Sequence, residues 1–164
     1  MKNPKIKIKL TEFDWGVEIV GIIALVTMIV LPAVQYHSLP DLIPRHFDLS
    51  GQPDAFGSNA FIWILPVVGI FVFLLLSLLN LFPHVFNYLV PITPDNAAKQ
   101  YLVATRMMRI LKTLVLVMFC FIIYEMMNFA PGKSTGLGEF FLPAVLVALL
   151  GVVGFFLIKS KRIG

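Results

Sequence analysis

Charge is what this 164-residue chain has least of. Asp, Glu, Lys and Arg make up 13% of it, where a soluble domain carries roughly 25%. A small soluble domain leaves much of its surface in water, and this sequence has too few polar residues to cover one. An ordinary soluble enzyme and a disordered tail are therefore excluded. Cys120 is the only cysteine, so no internal disulfide forms and a disulfide-built secreted scaffold is excluded. No G-x-S-x-G, P-loop, dinucleotide fingerprint, H-E-x-x-H or CxxC spacing occurs. No repeat, low-complexity tract or linker to a soluble domain stands out.

What is present is apolar. Hydrophobic residues make up 59% of the chain, and the mean hydropathy is +0.89. A spanning helix needs about 20 largely apolar residues, and four segments qualify: about 15–36, 60–82, 109–129 and 140–158. The stretch from Ile19 to Pro40 is uncharged, too long for a signal-peptide core of about 7–15 residues, so it reads as a retained first span. The third span has the shortest charge-free centre, between Lys112 and Glu125. Its helix is expected to begin near Asn96, capped by Thr93 or Asp95, with Arg109 and Lys112 near its inner end. The fold class is thus an all-α integral membrane protein, a single four-span helical bundle over residues 1–164.

The net charge is +4, but the basic residues are scattered around apolar runs rather than gathered into a nucleic-acid surface. Eleven of the thirteen Lys and Arg lie at the two chain ends or between spans two and three, and only Arg45 and Lys133 fall in the other loops. That bias places both termini in the cytoplasm and the loops at about 37–59 and 130–139 outside. The expected location is the bacterial plasma membrane, with the lipid bilayer as partner. The basic face around Lys99–Lys112 reads as an attraction to anionic lipid or as a docking site for a cytoplasmic regulator. Trp15 and Trp63 suit interfacial anchors.

The loop 37–59, HSLPDLIPRHFDLSGQPDAFGSN, is the most polar part of the chain between spans. Pro40, Pro44 and Pro53 fix φ, while Gly51 and Gly57 permit φ > 0, so it reads as a shaped loop. Ser50-Gly51 is placed to close a short hairpin, and Asp48 and Asp54 suit Asx-turns. The pattern Leu39-Pro40-Asp41, Ile43-Pro44, His46-Phe47-Asp48, Gly51, Pro53-Asp54, Gly57-Ser58 resembles the signature of a bacterial membrane family of uncharacterised function. That family's domain also forms the N-terminal part of SdpI-type immunity proteins. Asn87-Tyr88, Pro91-Ile92-Thr93 and Asn96-Ala97-Ala98-Lys99-Gln100-Tyr101 extend the resemblance to about the first 110 residues. The signature often carries Lys where this chain has Asn59, and the longer immunity proteins have further spans. The resemblance implies a small multispan protein that protects against secreted antibacterial peptides.

Two sets of residues are candidates for function. On the loop, Asp41, Arg45, His46, Asp48 and Asp54 are the ligand-binding set. With His37, these carboxylates and imidazoles can also be read as metal ligands or as plain structural hydrogen bonding. No metal or cofactor is expected. Inside the spans, Glu18, Asn80, Arg109, Lys112 and Glu125 matter because an unpaired polar group in lipid is costly. By depth, Glu18, Asn80, Arg109 and Lys112 can meet in one cluster, as an interhelical ion pair or as part of an ion path. Glu125 lies at the depth of the loop, where pairing with Arg45 or His46 would dock the loop on the bundle. The function expected is non-enzymatic recognition of an extracytoplasmic ligand, with immunity to or sensing of a peptide toxin as its outcome. The alternatives are a small oligomeric transporter or channel subunit and a metal-dependent membrane enzyme.

Overall fold

The structure, a computed structural model, describes residues 3–129 and 136–164. Most of the expected 130–139 loop lies outside the described residues. Four helices carry the fold: α1 Glu12–Gln35, α2 Ile64–Leu79, α3 Ala97–Asn128 and α4 Phe141–Arg162. All four are long and apolar enough to cross a membrane once the 3-10 turns flanking α1 and α2 are counted, which fits a multi-pass membrane protein. Between α1 and α2 stands an antiparallel hairpin, β1 Leu42–Phe47 and β2 Pro53–Ser58, so the architecture is mostly helical with one small sheet. The hairpin, the end of α1 and the starts of α2 and α4 share one end of the molecule. The starts of α1 and α3 share the other, the terminal end.

Local chemistry explains the helix starts. Thr11 and Asp14 form a reciprocal capping box at α1. Before α3, the Thr93 backbone N–H donates to Asn96 Oδ1 at 2.9 Å, and Thr93 Oγ1 accepts from the Asn96 N–H at 3.3 Å. Pro94 follows Thr93, where its missing N–H costs nothing. The expected capping role of Thr93 is thus filled one turn ahead of the regular helix, whose own first flanking residue is Asn96.

α3 is the hub. It packs against α1, α2 and α4, whereas α4 packs only on α3 among the helices with substantial contact. The expected four helices thus assemble around α3, with α4 held on it from one side. The surface is inverted relative to a soluble protein. Val147 and Leu150 are 72% and 68% exposed, while Lys112 is fully buried. Only an apolar solvent favours that arrangement.

α1 and α3 run parallel at close approach. Gly21 and Ala24 lie buried on α1. Thr113 Oγ1 donates to the Val17 carbonyl at 3.2 Å, and Cys120 Sγ sits 3.0 Å from the Ala24 carbonyl. Small residues at a helix crossing let backbones approach closely enough for such bonds. A Cβ on Gly21 would meet Thr113 Oγ1 at 2.9 Å, whereas one on Gly16 would meet nothing within 4 Å. Gly21→Val is therefore expected to destabilise the protein by about 1–3 kcal/mol in reversible detergent unfolding, with Gly16→Val near neutral. Equal losses at both positions would contradict this packing.

Candidate functional site

The hairpin is built by its own sequence. Gly51, with φ at 77°, sits in the turn between the strands, in a conformation other residues resist. Asp48 ties that turn. One of its carboxylate oxygens accepts from the Ser50 N–H at 2.8 Å, the Ser50 hydroxyl at 2.7 Å and the Gln52 N–H at 2.9 Å. These bonds favour the charged form, led by the Ser50 hydroxyl and then the Gln52 N–H, and hold the Asp48 carboxyl below its usual range. At the base, the Asn59 N–H donates to the Asp41 carbonyl at 3.0 Å.

The pairing carries two irregularities. Pro44 faces Phe56, His46 faces Ala55 and Phe47 faces Pro53. Arg45 is thus an extra residue in β1 and Asp54 an extra residue in β2, each acting as a bulge. The bulges re-aim the polar side chains. His46 Nδ1 lies 2.6 Å from Asp54 Oδ1, with both side chains open to solvent. The Arg45 guanidinium lies over the Phe61 ring, 5.6 Å from its centroid. Asp54 therefore pairs with His46 rather than forming the expected Asx-turn. The Asp41 side chain is exposed.

The opposite face of the hairpin anchors it. Ile43 and Ile62 are fully buried in the core that includes Met28, Leu116 and Ile123, with Phe47 packed against it. The stretch before α4 docks on the turn, where the Leu137 N–H donates to the Gly51 carbonyl at 2.9 Å. A Cβ on Gly51 would meet the Gly138 carbonyl oxygen at 2.6 Å. Between hairpin and α3 lies a hollow of about 280 Å³, lined by Arg45, His46 and Phe47 on one side and Ile122 and Met126 on the other.

The second polar group lies near the terminal end, between α1 and α3. Asp14, fully buried, receives the Arg106 guanidinium, with Nε to Oδ1 at 2.7 Å and Nη2 to Oδ2 at 3.0 Å. One turn on, Glu18 receives Lys112 Nζ at 2.7 Å, and Arg109 Nε lies 3.1 Å from its other oxygen. The Arg109 contact lacks hydrogen-bond alignment. Lys112 Nζ also donates to Ser77 of α2 at 2.8 Å and sits 4.3 Å from the Phe73 ring centroid.

The structure therefore brings Glu18, Arg109 and Lys112 together. Asn80, expected beside them, has its buried amide atoms without a hydrogen-bond partner. The expected pairing of Glu125 with Arg45 or His46 does not form. Arg45 is taken by Phe61 and His46 by Asp54, and Glu125 makes no ion pair among the described residues. The hairpin is docked by apolar packing and by Gly51 instead. Among the described residues, no three His, Cys, Asp or Glu side chains converge as a metal site. Sequence reasoning missed Asp14 and Arg106. Their signal is spacing: Asp14 and Glu18 are four apart, and Arg106, Arg109 and Lys112 are each three apart, so each set lies along one helix face.

Residues 22–70 match the model of a protein family described as a domain of unknown function, DUF1648. The match covers most of α1, the hairpin and the start of α2, and stops short of α3 and α4. The chain is also similar to an uncharacterized protein of Archaeoglobus fulgidus, 40% identical over 48 residues, which is 29% of this chain and 26% of that protein. It thus aligns with about a quarter of that relative's length. No solved structure matches.

The lowered Asp48 carboxyl fixes the sign of an acid effect. Its contribution to the turn is complete above the ordinary carboxylate range and is lost as pH falls through its depressed value. Amide exchange at Ser50 and Gln52, corrected for intrinsic pH dependence, is expected to lose protection at strongly acidic pH. Asp48→Asn is expected to weaken protection at neutral pH and to remove the acid dependence. An acid response that persists in Asp48→Asn would contradict this assignment.

Proposed function

We propose that this is a non-enzymatic multi-pass protein of the bacterial plasma membrane whose outer hairpin recognises an extracytoplasmic ligand. Both termini lie in the cytoplasm, following the Lys and Arg bias, which puts the hairpin outside. The ligand is a secreted antibacterial peptide or an envelope component, and the outcome is immunity or sensing, in line with the resemblance to SdpI-type proteins.

One observation carries the reading. The hairpin fixes its own backbone through Asp48, Gly51 and the contact with Leu137, yet leaves Asp41, Arg45 and the His46–Asp54 pair exposed. Exposed Leu42, Leu49 and Phe56 stand beside them. A rigid surface mixing both charge signs with apolar side chains suits an amphipathic peptide, because little ordering entropy is lost on binding. The transport reading would have Glu18 and Glu125 line one path. Glu18 is instead held by Lys112, and thirteen residues of helix separate Lys112 from Glu125, about 20 Å.

The test is survival under challenge by a panel of secreted antibacterial peptides, in cells expressing the wild type, Arg45→Ala or His46→Ala at matched membrane abundance. The wild type is expected to protect against at least one peptide. Each variant should lower the tolerated dose by about tenfold, equivalent to about 1.4 kcal/mol of binding. Protection against none of the peptides, or equal protection by both variants, would overturn the reading.

A further inference from the structure

α1 and α4 both lean on α3 and barely meet each other. The wedge between them is open along much of α3. It consists of three hollows of about 430, 510 and 430 Å³ joined end to end, the first two sharing Phe13 and Ile110 and the last two sharing Leu114. From Arg106 to Phe121 the furrow follows fifteen residues of helix, about 22 Å, against about 15 Å for the hydrocarbon of one leaflet.

The furrow is polar at one end only. Its walls beyond Ile110 are almost entirely apolar, with Thr113 the one hydroxyl and no charged side chain. At its terminal-end mouth stand Arg106 and Lys159. Arg106 bonds Asp14 and Thr11 through Nε and Nη2. Its Nη1 makes no bond among the described residues. Lys159 lies over the Phe155 ring, 5.8 Å from its centroid, and has no acidic partner among the described residues. Asp14 offsets the charge of Arg106, so the mouth carries the uncompensated charge of Lys159, next to Lys161 and Arg162 at the end of α4. A cation above an apolar slot longer than one leaflet is complementary to an anionic head group with an attached acyl chain.

We infer that the furrow between α1, α3 and α4 binds one anionic phospholipid, with its phosphate at Arg106 and Lys159 and an acyl chain along Ile110 and Leu114. Gly151 lies on the furrow wall, and a Cβ there would meet nothing within 4 Å. A side chain introduced at Gly151 therefore starts from open space on the furrow wall.

The test counts bound molecules on the full chain by native mass spectrometry after delipidation, with phosphatidylglycerol, phosphatidylcholine or inorganic phosphate added separately. The wild type is expected to retain one phosphatidylglycerol in preference to phosphatidylcholine. Lys159→Gln should cut that preference about fivefold, as for one cation at a lipid surface. Gly151→Leu should cut retention of both lipids, while Lys161→Gln changes neither. Equal retention of the two lipids by the wild type would overturn the proposal, as would retention unmoved by both furrow variants. Binding of phosphate alone that Gly151→Leu leaves intact would mean a bare anion site. A lipid-free dimer would mean that a second copy of the chain covers the furrow. Either of these also overturns the proposal.

Discussion

Lys112 has no exposed surface, and its ammonium is held by Glu18 of α1 and Ser77 of α2 in a chain whose outer face is Val, Leu and Phe. A charge at the meeting of three helices restricts how they can be arranged. Sliding α1 by one turn against α3 would move Glu18 away from Lys112 and Arg109, and Asp14 away from Arg106. A buried ion pair gives little net stability over apolar packing, but breaking one is costly, and its best-attested use is to fix register. Here it fixes a parallel register between α1 and α3, which brings Gly21 against Thr113 and Ala24 against Cys120.

That register determines what happens at the far end. With α1 and α3 aligned, Met28, Leu116 and Ile123 meet under the hairpin and bury Ile43 and Ile62. The hairpin then stands on a fixed floor, and the contact from Leu137 to Gly51 locks its turn from the side. Asp41, Arg45 and the His46–Asp54 pair stay open to solvent on that floor, and the recognition proposed above rests on them. α4 takes no part in the register. Among the helices it packs substantially on α3 alone in the described residues, and the furrow beside it follows from that one-sided attachment.

Much of this was legible in the residues. Apolar run length found the four long helices, because a bilayer imposes a length that a sequence cannot hide, whereas α3 begins at Ala97, well before the expected third span at about 109. Pro and Gly spacing announced the shaped loop, and Ser50-Gly51 its turn. Other features were not legible. The bulges at Arg45 and Asp54 depend on strand pairing, and one residue of register decides whether Asp54 faces His46. The Glu125 pairing failed because depth along a helix says nothing about azimuth. Glu125 sits one residue from Met126, which faces the hollow under the hairpin. Arg106 read as part of an exposed basic face, yet it turns inward because Asp14, three residues after the Thr11 cap, offers a buried carboxylate. That partner is ninety-two residues away in sequence, and no local pattern announces it.

The central claim is that the buried ions act together to set the α1–α3 register. The most direct test is a double-mutant cycle on Glu18→Gln and Lys112→Met, read by reversible unfolding in detergent. Glu18→Gln strands two cations and should cost about 3–5 kcal/mol. Lys112→Met leaves Glu18 with Arg109 and should cost less. The double variant should be destabilised by about 1–3 kcal/mol less than the sum of the two single losses. Additive losses, or a larger loss for Lys112→Met than for Glu18→Gln, would contradict the account.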